Sequence, residues 1–74
     1  MVVIYGKDNC TFCEQAKKLC EIKGMEYTYK MVGKDITKEQ LVELCPVPVR
    51  SVPQIFMNEE YVGGYTEFSK KVNI

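Results

Sequence analysis

A short apolar run near the start of the chain is the feature that most constrains its fold. Residues 2–5 read VVIY and contain no alternating polar residue, which is typical of a central strand buried on both faces. A chain of 74 residues is near the lower limit for a self-sufficient core. We therefore expect residues 1–74 to form one domain, built in layers around this strand.

Helical periodicity follows this strand. Residues 11–23 carry apolar side chains at helical spacing and end before Gly24, so they predict an amphipathic helix. The helix begins either with a capping box formed by Thr11 and Glu14 or with Cys10 as the cap residue. Its expected inward residues are Phe12, Ala16, Leu19 and Cys20.

A second helix is predicted before Pro46, which cannot continue it. Thr37 and Gln40 are spaced for a capping box at its start. Its expected inward residues are Leu41, Leu44 and Cys45. Between the two helices, residues 27–32 alternate in polarity, which predicts an edge strand with one solvated face.

The remaining segments complete an α/β pattern. Residues 46–48 (PVP) predict an extended connection, residues 54–57 and 61–62 a β-hairpin around residues 58–60, and residues 66–72 a short last helix. The resulting order is β-α-β-α-β-β-α. A parallel βαβ unit and an antiparallel hairpin together give a four-stranded mixed sheet covered by three helices. This architecture resembles a minimal thioredoxin-like fold.

Composition excludes several classes of protein. Ten basic and ten acidic residues cancel to a net charge of +0, which argues against a binder of nucleic acid or of anionic membranes. No apolar stretch approaches the roughly 20 residues that span a bilayer. The run at residues 2–5 is too short for the core of a signal peptide. We therefore expect a cytoplasmic protein, and structural disulfides are rare in that compartment.

Two cysteines, Cys10 and Cys13, lie where the first strand gives way to the first helix. The amide groups and the dipole of a helix N-terminus favour negative charge, and the thiolate is the reactive form of cysteine. The chain contains no histidine, so the expected stabilisation comes from the helix end and from Lys7, with Asp8 opposing it. These features predict a lowered pKa for Cys10 and a redox role for the pair.

A zinc site and a structural disulfide are the two alternatives to the redox role. A zinc site normally needs a second pair of Cys or His ligands, and the remaining cysteines, Cys20 and Cys45, are isolated at helix positions that face the core. A disulfide-stapled secreted scaffold would need an oxidising compartment. We expect Cys20 and Cys45 to be buried thiols that act as small apolar residues.

Three segments of the chain resemble the motifs of a known family, the dithiol glutaredoxins. They are residues 7–13 (KDNCTFC), 51–56 (SVPQIF) and 63–68 (GGYTEF), and they follow the order and spacing of the family. The similarity covers roughly residues 3–68. It implies a glutathione-dependent thiol–disulfide oxidoreductase that reduces protein disulfides and glutathione mixed disulfides.

The resemblance also implies a role for each matched residue. Cys10 would be the nucleophile and Cys13 the resolving thiol, while Lys7 would attract a glutathione carboxylate. A cis Val52-Pro53 bond would present the backbone of Val52 to the extended tripeptide. Arg50 is either a further carboxylate contact or a solvated surface residue. The implied glutathione contacts are Lys7, Phe12, Val52, Pro53, Gly64, Tyr65, Thr66 and Glu67.

Departures from the family pattern leave some alternatives open. Thr11 and Phe12 stand where the family usually has Pro and Tyr, and Glu67 is one methylene longer than the usual Asp. The lost proline leaves open a second function, in which two protomers hold a [2Fe–2S] cluster through Cys10 and glutathione. Gly63-Gly64 alone would equally suit a plain strand-to-helix turn.

The resemblance further implies the partners of the protein. Glutathione would be the reductant, and no tightly bound cofactor or metal is expected. The acceptors would be disulfide-containing proteins, with ribonucleotide reductase among them. We expect a monomer.

Overall fold

The structure, a computed structural model, describes residues 1–49 and 51–72. Its elements occur in the predicted order, β-α-β-α-β-β-α. The strands are β1 (Val2–Gly6), β2 (Tyr27–Met31), β3 (Gln54–Met57) and β4 (Glu60–Gly63). The helices are α1 (Thr11–Ile22), α2 (Lys38–Leu44) and α3 (Tyr65–Val72).

The strands form one mixed sheet in the order β2-β1-β3-β4. Strand β1 pairs in parallel with β2 and antiparallel with β3, and β3 pairs antiparallel with β4. The prediction that β1 is central and β2 lies at an edge is therefore confirmed. The chain has the thioredoxin-like fold, with a four-stranded mixed sheet and three helices.

Alternating residues of β1 face two separate apolar clusters, because successive side chains of a strand point to opposite faces. Val2 and Ile4 pack in one cluster with Ala16 and Cys20 of α1 and with Phe68 of α3. On the other face, Tyr5 packs with two residues of the α2 region, Leu41 and Cys45. Two helices thus cover one face of the sheet and α2 covers the other, so β1 is buried on both faces as predicted.

The inward faces of α1 and α2 differ from the predicted ones at two positions. Phe12 is 56% exposed, and Cys13 takes the inward position at the start of α1 instead. Leu44 is 51% exposed, because α2 contacts the core through Leu41 and Cys45, which lie one helical turn apart. The predictions for Phe12 and Leu44 as core residues are therefore wrong, whereas Cys20 and Cys45 are buried thiols as predicted.

Turns and caps mostly follow the sequence signals. Thr37 and Gln40 form the predicted capping box, with the Thr37 hydroxyl accepting from the Gln40 amide at 3.1 Å. Asn58 and Glu59, with φ of 50° and 70°, form the tight hairpin turn, which requires positive φ at both central residues. Within residues 1–49 and 51–72, no helix has the length and apolar character needed to cross a membrane.

Candidate functional site: a dithiol at the start of helix α1

Cys10 and Cys13 are joined in a disulfide at the start of α1. Cys10 is the N-cap residue of the helix, and its Sγ accepts a hydrogen bond from the backbone amide of Cys13 at 3.2 Å. Of the two predicted alternatives for this cap, Cys10 is therefore the observed one. Cys10 is 8% exposed and Cys13 is fully buried, so the two sulfurs differ in access to an incoming substrate.

The amide contact at Cys10 has a chemical consequence. An N-cap acceptor sits where unpaired amides and the helix dipole favour negative charge. The same position would stabilise the thiolate of Cys10 after the disulfide is reduced. The predicted lowered pKa of Cys10 stays a prediction, because the disulfide-bonded sulfur does not titrate.

The loop before β3 lies against this sulfur. The Val52-Pro53 peptide bond is cis, as predicted. The carbonyl oxygen of Val52 lies 3.9 Å from the Sγ of Cys10. The backbone of this loop therefore borders the Cys10 sulfur directly.

The start of α3 is the third part of the candidate site, after the start of α1 and the loop before β3. Gly63 has a φ of 127°, which only glycine adopts readily, and it turns the chain from β4 into the helix. The backbone amide of Gly64 donates to the Oε1 atom of Glu67 at 2.8 Å. The carboxylate of Glu67 thus caps the start of its own helix. The backbone amides of Tyr65, Thr66 and Glu67, the first three residues of α3, have no acceptor within the helix.

Two adjoining cavities bring the predicted site residues together. A cavity of about 190 Å³ lies between the loop at Pro53 and the start of α3, and one of about 630 Å³ lies beside Cys10. Phe12, Ser51 and Val52 line both cavities, so they form the boundary between the two. Lys7 and Cys10 line the larger cavity, and Pro53, Gly64, Tyr65, Thr66 and Glu67 line the smaller one.

The position of Phe12 between the two cavities explains why its ring is exposed. Its centroid lies 6.1 Å from that of Tyr65, and the two rings are tilted by 30°. The two aromatic side chains are therefore in contact range of each other, and both line the smaller cavity. Phe12, which the helical pattern assigned to the core, instead forms part of the site that the family motifs predicted.

Sequence reasoning missed several residues of the larger cavity. Lys38, the first residue of α2, adds a second cation to that of Lys7, and Val49 adds apolar surface. The PVP run predicted an extended connection but gave no signal that Val49 would face this cavity. Arg50, which we considered as a further carboxylate contact, lies outside the described residues.

The two remaining thiols, those of Cys20 and Cys45, do not line these cavities. Burial raises the pKa of both Cys20 and Cys45 from the ordinary value of 9.0. A buried thiol with a raised pKa is a poor nucleophile. In the part of the chain that the structure describes, no group of three or more His, Cys, Asp or Glu side chains is arranged to hold a metal ion.

A thioredoxin-like fold with a dithiol at the start of α1 defines a class of protein, the thiol–disulfide oxidoreductases. The family model that matches residues 2–62 is that of glutaredoxin. Glutaredoxin 1 of Escherichia coli is 40% identical in an alignment that covers 90% of this chain and 86% of that protein. A glutaredoxin of Haemophilus influenzae is 42% identical, with coverage of 90% and 84%.

Solved structures agree with this match. Reduced E. coli glutaredoxin superposes with a TM-score of 0.84 at 37% identity, covering 97% of this chain and 92% of that one. The oxidised form of the same protein gives a TM-score of 0.80 with the same coverage. The chain belongs to the glutaredoxin family.

Proposed function

We propose that the protein is a glutathione-dependent reductase of protein disulfides and glutathione mixed disulfides. The observation that carries this proposal is the meeting of three chain segments around two adjoining cavities, the larger of which is lined by Cys10. The start of α1, the cis-proline loop and the start of α3 together line two adjoining cavities. Glutaredoxins use glutathione as their reductant, and these cavities offer complementary groups for each part of that tripeptide.

The groups at the two ends of the site suit the charges of glutathione. The amides at the start of α3 suit its γ-glutamyl carboxylate, because a helix N-terminus favours anions. The carboxylate of Glu67 suits the neighbouring ammonium group. In the larger cavity, Lys7 and Lys38 suit the glycyl carboxylate, and the backbone of Val52 suits pairing with the extended cysteinyl residue.

In the proposed chemistry, the more accessible Cys10 reacts with the substrate first and the buried Cys13 reacts second. The Cys10 thiolate attacks the glutathionyl sulfur of a mixed disulfide, and the substrate sulfur leaves with the electron pair of the broken S–S bond. A second glutathione thiolate then attacks the glutathionyl sulfur on Cys10. Oxidised glutathione leaves, and the Cys10 thiolate is restored. With a protein disulfide, the Cys10 thiolate attacks one substrate sulfur and releases the other as a thiolate. The buried Cys13 then attacks the Cys10 sulfur of this mixed disulfide, forms the Cys10–Cys13 disulfide and releases the remaining substrate sulfur as a thiolate. Two glutathione molecules reduce the new disulfide and leave as oxidised glutathione.

A glutathione-coupled assay tests this proposal. The wild type and Cys10→Ser are compared with a glutathionylated peptide as substrate, and the consumption of glutathione is followed. We expect turnover by the wild type and none above background for Cys10→Ser. A wild type that works with dithiothreitol but not with glutathione would contradict the proposed reductant. Retained turnover in Cys10→Ser would contradict the proposed nucleophile.

We also propose a monomer that acts in the cytoplasm on disulfide-containing proteins, with ribonucleotide reductase among the acceptors. Light scattering of the purified protein checks the monomer. Reduction of oxidised ribonucleotide reductase by the wild type and glutathione checks the acceptor. The alternative function, a [2Fe–2S] cluster shared by two protomers, stays a prediction from Thr11, and visible absorption after anaerobic reconstitution with glutathione tests it.

A further inference from the structure

The end of β1 brings a tyrosine hydroxyl close to the buried sulfur of Cys13. A methyl group on Gly6 would collide with the hydroxyl of Tyr29 and with the Sγ of Cys13, and both atoms lie within 3.0 Å of that one position. Tyr29 reaches this point because β2 runs parallel to β1 and pairs Gly6 with Met31. The missing side chain of Gly6 therefore leaves a small space that the phenol oxygen and the sulfur share.

The hydroxyl of Tyr29 is held in place from several sides. It donates a hydrogen bond to the backbone carbonyl of Lys7 at 2.9 Å. The Nζ atom of Lys17 lies 4.3 Å from the centre of the ring and is itself paired with Glu14 at 2.9 Å. Burial raises the pKa of Tyr29, Lys17 opposes this rise, and Glu14 and Asp8 add to it. The hydroxyl therefore keeps its proton near neutral pH and remains a donor.

Cys13 needs such a donor during the reaction. Its side chain is fully buried, and burial disfavours the thiolate that must attack the intermediate on Cys10. A hydrogen bond to the thiolate would counter this cost, because donors favour the charged form of an acid. The hydroxyl that borders the Cys13 sulfur is placed to make that bond.

We propose that Tyr29 is a positioning residue for the resolving step, whose hydroxyl turns from the Lys7 carbonyl to the Cys13 sulfur as that thiol ionises. This inference rests on the proposed dithiol cycle. Cys13 loses its proton to water, and its electron pair forms the new S–S bond to Cys10. The bond between Cys10 and the substrate sulfur breaks, and the substrate leaves as a thiolate that takes a proton from water.

The experiment separates the two sulfurs in a single turnover. Reduced protein is mixed in a stopped-flow instrument with one equivalent of 5,5′-dithiobis(2-nitrobenzoate), which releases one coloured thiolate at each step. The first phase reports attack by Cys10, and the second, intramolecular phase reports resolution by Cys13. Because this reagent contains no glutathione, the result does not depend on whether glutathione is the physiological reductant.

The test variant is Tyr29→Phe, and Tyr27→Phe is its matched control. Tyr27 lies two residues away on the same strand, and its hydroxyl donates to Glu21 at 2.8 Å rather than to the site. Cys13→Ser identifies the second phase, which it should abolish. The first phase and thermal unfolding show whether each variant retains its fold.

We expect Tyr29→Phe to slow the second phase about tenfold, equivalent to about 1.4 kcal/mol, with the first phase unchanged. The pH midpoint of the second phase should rise by about one unit, and Tyr27→Phe should match the wild type in both phases. If Tyr29→Phe does not fold, Tyr29→Met, which also lacks the hydroxyl and has a flexible apolar side chain, should show the same selective slowing.

Two outcomes would overturn the proposal. One is a rate of the second phase within twofold of the wild type in folded Tyr29→Phe, or in Tyr29→Met if that variant replaces it. The other is an equal slowing by Tyr27→Phe or of the first phase, which would indicate a general structural effect. If Tyr29→Phe shows the selective slowing while glutathione fails as a reductant, the proposed function fails and the role of Tyr29 stands.

Discussion

Two adjacent glycines allow the turn into α3 to be separated from the proposed contact with glutathione. Gly63 is buried and has a φ of 127°, whereas Gly64 lines the smaller cavity. A Cβ atom on Gly63 would lie 3.0 Å from the side chain of Glu67. A Cβ atom on Gly64 would make ordinary contacts, at 3.4 Å from Glu67 Oε1 and 3.5 Å from the Pro53 carbonyl.

These contacts predict different effects for the two alanine variants. Gly63→Ala should lower the free energy of unfolding by about 1–3 kcal/mol, because alanine must adopt an unfavourable φ. For a domain of this size, each 1 kcal/mol lowers Tm by roughly 4–8 °C. Gly64→Ala should cost only about 0.5–1 kcal/mol, the difference between glycine and alanine at a helix N-cap. Its methyl group, however, would occupy part of a cavity of about 190 Å³.

We therefore expect Gly64→Ala to raise KM for a glutathionylated peptide about tenfold, which is about 1.4 kcal/mol of lost binding. Urea unfolding measures the stability of both variants, and the glutathione-coupled assay measures KM. The reasoning is refuted if Gly64→Ala leaves KM within twofold of the wild type, since the glycines would then serve the turn alone. It is also refuted if Gly63→Ala is as stable as the wild type.

Two further predictions concern stability. Thr37→Ala should lower the free energy of unfolding by about 1 kcal/mol, because it removes the capping-box acceptor of α2. Urea unfolding measures this loss, and an equal loss in Thr37→Ser would contradict the role of the hydroxyl. Burial raises the pKa of Cys20 and Cys45 above the ordinary value of 9.0. As pH rises past about 9, these thiols therefore ionise in the unfolded chain before they ionise in the folded protein, and the free energy of unfolding should fall. A Cys20→Ala/Cys45→Ala variant should lose less stability between about pH 8 and 9.5, and an unchanged pH slope would show that other groups control this loss.

The sequence predicted the order of the elements because each carries its own local signal. The apolar run of residues 2–5, the capping box at Thr37 and the turn predicted at residues 58–60 each act over a few residues. All three occur in the structure, although the turn is confined to Asn58 and Glu59 because Glu60 begins β4. The buried faces of the helices were harder to predict. Phe12 and Leu44 satisfy helical spacing, but Cys13 and Cys45 occupy the inward positions that decide burial.

Most of the candidate site was predicted from motifs, whereas its tertiary contacts were not. The three matched segments contain the residues that line the smaller cavity, since a short motif keeps its own geometry. The placement of Lys38 depends on how α2 packs against the sheet, and that of Tyr29 depends on the register between β1 and β2. Long-range relations of this kind leave no pattern within a single segment.

The most direct test of the proposed dithiol mechanism compares Cys13→Ser with the wild type on two substrates under the same glutathione concentration. We predict that Cys13→Ser retains most of its turnover with a glutathionylated peptide, because Cys10 and glutathione complete that cycle alone. With a protein disulfide, we predict a loss of at least tenfold, since the resolving thiol is missing. Equal losses on both substrates, or full activity on both, would contradict the separate roles assigned to the two sulfurs.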